Sequence, residues 1–249
     1  MTDPMIDPVI DPVTDVERFW AASRHSPLTL RRLAETLTEP PPPTGPDPFT
    51  LPGRPYPLTA PADPLQRLFA ARRSGRAFGP GPLSATDLGA VLAALAATPD
   101  GRRGYPSAGG LNAVRGYPLL LDVEHELTGR VTRYDPVAHA LQDVGPCPRW
   151  PLLRPLLGTP DDAPAPALVL ALVLADDAML DKYGARGGRF GLIEVGAAAQ
   201  AVSLRVAEAG LAGHLLGAAA DREVLVLAGL TSDEARLGVL IAIGPAVQR

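Results

Sequence analysis

The sequence predicts an α+β fold organised as one main domain. Three observations carry that prediction. Residues 166–175 hold an unbroken apolar run, Ala-Leu-Val-Leu-Ala-Leu-Val-Leu, behind flanking prolines, which reads as a strand buried on both faces. Residues 190–209 read as a long helix whose middle, Ala197-Ala198-Ala199-Gln200-Ala201, carries no charge, so it is apolar all round and buried all round. Around these two, helix and strand patterns mix without strict alternation.

Taken in order, the chain starts with a loose repeat, Asp3-Pro4, Asp7-Pro8 and Asp11-Pro12, that reads as a solvated tail over the first 16 residues. Short helices are expected over 16–23 and 28–36. Residues 39–48, with nine positions of Pro, Thr, Gly, Asp and their like after Glu39, must be extended and polyproline-like, and the style continues to Pro64. The division expected is therefore 1–63 as tail, short helices and proline-rich arm, and 64–249 as the main domain. A helix over 64–73 opens the latter. The next is better marked: Ser84 is its N-cap, Asp87 lies in its first turn, and Leu88, Val91, Leu92 and Leu95 share one face. Residues 117–123 and 129–134 read as a hairpin-like strand pair, 210–217 as an apolar glycine-spaced strand, and 236–243 as a final buried strand. The small residues 196–199 let another backbone approach the long helix, either in a dimer or in a single core. Glu194 in that helix needs a buried partner, for which an arginine is the natural expectation.

Composition narrows the function. With 249 residues, 46% hydrophobic and 20% charged, the chain can build a sizeable core. A net charge of -4 argues against a nucleic-acid partner. The lone Cys147 can form neither an internal disulfide nor a structural zinc site, and His25, His125, His139 and His214 show no ligand spacing, so no metal is expected. The start is acidic, without a basic-then-apolar signal segment. The longest uncharged apolar stretch, 163–175, is short of the roughly 20 residues that a bilayer needs. A cytoplasmic protein without a membrane partner is expected.

Of the 23 basic residues only Lys182 is a lysine, the other 22 being Arg. A lone ammonium among guanidinium groups is either chance or a position that needs what Arg cannot do, which is to lose a proton when desolvated.

Four strings could carry chemistry. Arg72-Arg73-Ser74-Gly75-Arg76-Ala77-Phe78 packs three arginines and a serine into a compact anion site, or on charge alone a solvated basic patch. Tyr105-Pro106-Ser107-Ala108-Gly109-Gly110-Leu111-Asn112 allows backbone amides to approach a flat ligand or a phosphate, or is a plain turn. Asp181-Lys182-Tyr183-Gly184 sets two proton-carrying groups side by side, or is a surface helix start. Gly210 to Gly217 would let a backbone pack on a planar ring, or is an ordinary edge strand.

In this order, and with Arg133-Tyr134-Asp135-Pro136, His139 and Leu141 between them, these strings resemble the nitroreductase superfamily, and within it the SagB-type dehydrogenases that oxidise azolines in peptide natural products. The resemblance covers roughly residues 64–245. It implies a nitroreductase-like FMN-binding fold, a mixed central sheet flanked by helices, in an intertwined homodimer with flavins at the subunit interface. It implies that Arg72, Arg73, Ser74 and Arg76 hold the FMN phosphate and ribityl chain, that Pro106, Ser107, Gly109 and Gly110 line the flavin, and that Gly213 and Gly217 lie near the ring or phosphate. Lys182 and Tyr183 match the catalytic pair of azoline oxidases, so the sole lysine falls where that family needs an ammonium. The expected partners are an azoline-containing peptide, ribosomal or carrier-bound, and a cyclodehydratase complex. The alternatives are an NAD(P)H-dependent nitro or quinone reductase and, in another class, a non-catalytic scaffold subunit of that complex.

Overall fold

A computed structural model describes residues 12–36, 54 and 56–247. The acidic repeat at Asp3, Asp7 and Asp11 and most of the proline-rich arm lie outside the described residues. Among the described residues eight α-helices and six strands follow one another: α1 (Pro12–Ser23), α2 (Pro27–Thr36), α3 (Pro64–Ala71), α4 (Ala85–Leu92), β1 (Val114–Leu120), β2 (Arg130–Asp135), β3 (Ala140–Pro146), α5 (Trp150–Leu153), β4 (Leu168–Leu174), α6 (Asp177–Tyr183), α7 (Arg186–Glu208), β5 (Ala212–Leu216), α8 (Asp221–Leu227) and β6 (Arg236–Gly244).

The strands form one sheet in the order β3-β2-β1-β4-β6-β5. β4 sits inside it, antiparallel to β1 on one side and β6 on the other, with Leu120 opposite Leu168 and Leu168 opposite Ile243. All seven of its side chains are buried. Its even-numbered leucines, 168 to 174, pack in one core with Val195, Ala198, Ala199 and Val202 of α7. Its odd-numbered residues, Val169, Ala171 and Val173, pack in a second core with Leu153, Leu157, Val224 and Leu225. Burying each of these leucines contributes about 1.5–3 kcal/mol. α7 is long and apolar enough to cross a membrane by composition, yet here it is a core helix lying along the sheet.

Local rules explain the ends of elements. Ser84 caps α4 as expected, accepting from Asp87 N at 3.0 Å while its hydroxyl donates to the Asp87 carboxylate at 2.7 Å. Pro12 opens α1 four residues ahead of the expected start, and Pro64 opens α3. The sheet departs from the mixed one expected: its five strand pairings are all antiparallel, and among the described residues parallel pairing is confined to the bridges His25–Ala220 and Leu83–Val123. Strand direction follows from the connections, which here return each strand alongside its neighbour reversed.

α1 is part of this core. Val16 and Trp20 join the cluster on the α7 side, and Val16 lies over Gly188 in the first turn of α7. Between α1 and α2, His25 bridges to Ala220 and its amide donates to Asp221 at 2.9 Å.

Candidate functional site

The arginine string leaves α3 and runs along the β5–β6 edge. Its backbone is tied there: Gly75 N donates to Gly213 O at 3.0 Å, Gly79 N to Pro245 O at 2.8 Å, and Phe78 bridges to Ala246. A β-carbon built on Gly75 would stand 3.0 Å from Ala212 Cβ, so the close approach requires glycine. His214 Nδ1 donates to Gly75 O at 3.0 Å, and its ring stacks on Phe78. Burial, with Arg76 adding to it and the hydrogen bond to Gly75 opposing it, pushes the His214 imidazole below its ordinary value and so favours the neutral ring.

Arg72, Arg73, Ser74 and Arg76 line a cavity of about 570 Å³, walled opposite by Val206, Gly213 and His214. Among the described residues no carboxylate pairs with Arg72 or Arg76. Arg73 is committed elsewhere, its Nη1 donating to Ala70 O at 2.5 Å and Arg72 O at 3.1 Å at the end of α3. A cradle of guanidinium groups without an internal counter-ion suits a phosphate. Gly213 earns its place by packing: a side chain there would meet Val206 and the Ala242 carbonyl. Gly217 faces an adjoining cavity of about 380 Å³ with Arg76, Phe78, Trp150 and His214.

The second group of expected residues gathers at α6. A 3₁₀ turn, Ala108–Gly110, carries Gly109 at φ 61° and Gly110 at φ 69°. The turn is closed by Asn112, whose amide donates to Ser107 Oγ at 2.7 Å and whose side-chain Nδ2 donates to Gly110 O at 3.1 Å. Lys182 and Tyr183 end α6 directly against it. A β-carbon on Gly109 would stand 2.5 Å from Tyr183 Oη and 2.6 Å from Lys182 Nζ. Lys182 Nζ lies 5.4 Å from the centre of the Tyr183 ring, which meets Phe190 edge-on at 5.0 Å. Lys182 is exposed and Tyr183 half-buried; Pro106, three residues before Gly109, is exposed. An amine and a phenol so placed can move a proton to or from a group held over the glycine turn.

Glu194 corrects one expectation. It is buried, but its partner is no arginine: Oε1 accepts from Val114 N at 3.1 Å, and Oε2 has no hydrogen bond. A strand-end amide next to the 105–112 loop supplies the donor that a guanidinium was expected to give. Asn112, Phe190 and His214 also belong to these sites without having been singled out for them. Asn112 could have been found as the only residue in its string able to tolerate positive φ besides the glycines; its φ is 48°.

The two groups do not share one cavity. None of Ser107, Gly109, Gly110, Lys182 and Tyr183 lines the arginine cavity. A single chain thus presents two separate candidate half-sites, one a cavity lined by guanidinium groups and one an amine and a phenol against a glycine turn.

The model of the Nitroreductase family matches residues 69–245. A structure from Ralstonia eutropha JMP134, described as a nitroreductase, is 26% identical over 78% of this chain and 89% of its own, with a TM-score of 0.64. A chain of the E. coli microcin synthetase McbBCD complex with truncated pro-MccB17 bound superposes over 99% of this chain and 95% of its own, with a TM-score of 0.70 at 22% identity. A Desulfovibrio desulfuricans structure, described as a nitroreductase in complex with FMN, shares the fold at 16% identity and a TM-score of 0.51, covering 76% of this chain and 89% of its own. No curated protein sequence matches at a significant level.

Proposed function

Because the chain belongs to the nitroreductase family, we propose that it is an FMN-dependent dehydrogenase of the SagB-type branch, converting thiazoline or oxazoline rings of a peptide natural product to thiazoles or oxazoles in the cytoplasm. The observation that carries this reading is the seating of Lys182 and Tyr183 against the Gly109 turn. A general reductase needs no dedicated carbon base, whereas an azoline does.

The residues present fit FMN. Arg72, Ser74 and Arg76, in a cavity without a counter-ion, would hold its phosphate, with Arg73 contributing least because its guanidinium already serves α3. Ser107, Gly109 and Gly110 would line the ring, since two glycines at positive φ present backbone rather than side chains. Bound there, FMN would supply the acceptor for the hydrogen and electron pair leaving the azoline β-carbon, with O2 as the final acceptor. Lys182 or Tyr183 takes the α-carbon proton, which is acidified by the ring C=N and the next carbonyl. The ring loses two hydrogens and becomes aromatic.

The separation of the two groups supports a homodimer, in which a second copy would set its Gly109 turn and Lys182 opposite the first copy's arginine cavity. The exposed Leu65 and Phe69 of α3 and Ile193 of α7 offer an apolar face for it. The likeness to a chain of a synthetase complex supports a cyclodehydratase partner that presents the peptide.

The test is mass spectrometry of a thiazoline-containing peptide incubated aerobically with the FMN-loaded protein, beside Lys182→Ala. Loss of two hydrogens per ring is expected with the wild type alone. A yellow protein that leaves the ring intact, even with the cyclodehydratase present, would overturn the reading. The 26% identical neighbour favours a reductase as the second reading; rapid bleaching of the flavin by NADPH would support it. An unchanged product with Lys182→Ala would favour a scaffold.

A further inference from the structure

α6 has seven residues, and a helix so short has no stability of its own in water, so the place of Lys182 and Tyr183 is set by whatever grips its two ends. The C-terminal end is gripped by α7. Gly184 at φ 57° donates to Leu180 O at 2.8 Å, and a side chain at Gly187 would collide with the Met179 carbonyl. The N-terminal end is gripped by charges that the site above does not use.

Asp176, 1% exposed, stands immediately before α6, its carbonyl accepting from Met179 N and Leu180 N at 2.9 Å each. Its Oδ2 lies 3.6 Å from Nε of Arg236, the first residue of β6, which is 5% exposed. Neither atom makes a hydrogen bond, so the two are held by charge attraction in a buried setting. Arg236 then spends its other nitrogens outward. Nη1 donates to Ser232 O, and Nη2 donates to Glu17 Oε1 of α1 at 2.7 Å. Glu17 lies outside the span that the family model matches, as does the whole of α1. One residue before it, Val16 lies over Gly188 at the α6–α7 joint. α1 is therefore clamped across the joint that carries the amine and the phenol.

We propose that Arg236 is a positioning residue for Lys182 and Tyr183, tying α6 to β6 through Asp176 and to α1 through Glu17, so that α1 belongs to the machinery that holds both groups against Gly109. The inference rests on the proposed roles of Lys182 and Tyr183. The acylation arm of its test does not, because Lys182 is the only lysine in the chain. Acylation of the FMN-loaded protein by an amine-specific succinimidyl ester, read at Lys182 by peptide mass spectrometry, reports how that amine is held without any substrate.

Arg236→Met strips a buried carboxylate of its partner and can fail to fold, so Glu17→Gln is the primary variant, its side chain being 56% exposed. Glu17→Gln is expected to acylate at Lys182 about threefold faster and to lose about threefold in kcat at constant KM, since small misplacements of a reacting group are costly. Glu17→Asp should restore both, and Arg236→Met, where folded, should exceed both changes. Wild-type acylation and kcat in a Glu17→Gln protein with only a lowered Tm would overturn the proposal, and so would a changed acylation rate with unchanged kcat. Faster acylation in the variants of a protein that oxidises no azoline, wild type included, would uphold the positioning and overturn the dehydrogenase reading instead.

Discussion

The two half-sites are held by different means. The arginine segment hangs on the sheet edge by backbone hydrogen bonds from Gly75 and Gly79, so its guanidinium groups are free of structural duty except for that of Arg73. The Lys182–Tyr183 segment is wedged between glycines and charges: Gly109 above it, Gly187 behind it, and Asp176 with Arg236 at its entry. A backbone-hung site tolerates changes of side chain one at a time. A wedged site has little slack, and Gly to Ala should hurt most at Gly187, where the added methyl would press closer on the Met179 carbonyl than the 2.7 Å that would separate one at Gly79 from the Ala246 carbonyl.

The largest effect is expected from Gly187→Ala, which drives a methyl into the Met179 carbonyl and should cost about 3 kcal/mol in thermal or denaturant unfolding. A Gly187→Ala protein as stable as wild type would mean that α6 is not wedged. Next comes Gly109→Ala. Its φ of 61° costs about 1–2 kcal/mol for an L-residue, and the new methyl would displace Tyr183 Oη and Lys182 Nζ, lowering turnover about tenfold or more. Turnover and melting temperature measured on one preparation separate these two contributions.

On the arginine side the expected losses are smaller and unequal. Arg76→Ala should weaken FMN binding about tenfold, the worth of one charge-assisted hydrogen bond, while Arg73→Ala should change it by less than about twofold because that guanidinium serves α3. Equal losses in a flavin fluorescence titration would erase the distinction between the two arginines. The smallest effect belongs to His214. Its folded pKa is lowered, first by burial and then by Arg76, so between that lowered value and the ordinary 6.5 the unfolded chain holds a proton that the folded one does not. Its contribution is full above about 6.5 and is lost as the pH falls through the lowered folded value. Stability measured across this range should therefore decline toward acid, and His214→Gln should flatten the decline.

What could be read from the chain beforehand follows the same division. β4, the cap at Ser84 and α7 were legible because each is a local pattern repeated over several residues. The four strings were legible as strings, yet nothing in them says that Gly109 would meet Lys182 or that Gly75 would meet Gly213, contacts set by sheet order. β3 was missed because it is an edge strand whose residues, Ala-Leu-Gln-Asp-Val-Gly-Pro, are mostly exposed and show no buried face. α6 was missed because its one buried side chain, Met179, cannot make a periodicity. The link from Glu17 through Arg236 to Asp176 joins residues distant in sequence, and a single chain carries no mark of such a pairing.

The burial of β4 on both faces has a consequence for the order of folding. Both of its ladders wait for segments far away along the chain, β1 before it and β6 well after it, so this strand must persist without its second neighbour while the rest collapses. Seven consecutive apolar residues left in that condition are a template for pairing between molecules. The chain breaks the stretch at each end, with Pro164 and Pro166 ahead of it and Asp176 and Asp177 behind it. Asp176 thus has two settings: in the unfolded chain it is one of two charges flanking the apolar β4 stretch, and in the folded one it is the buried carboxylate at the entry to α6 beside Arg236.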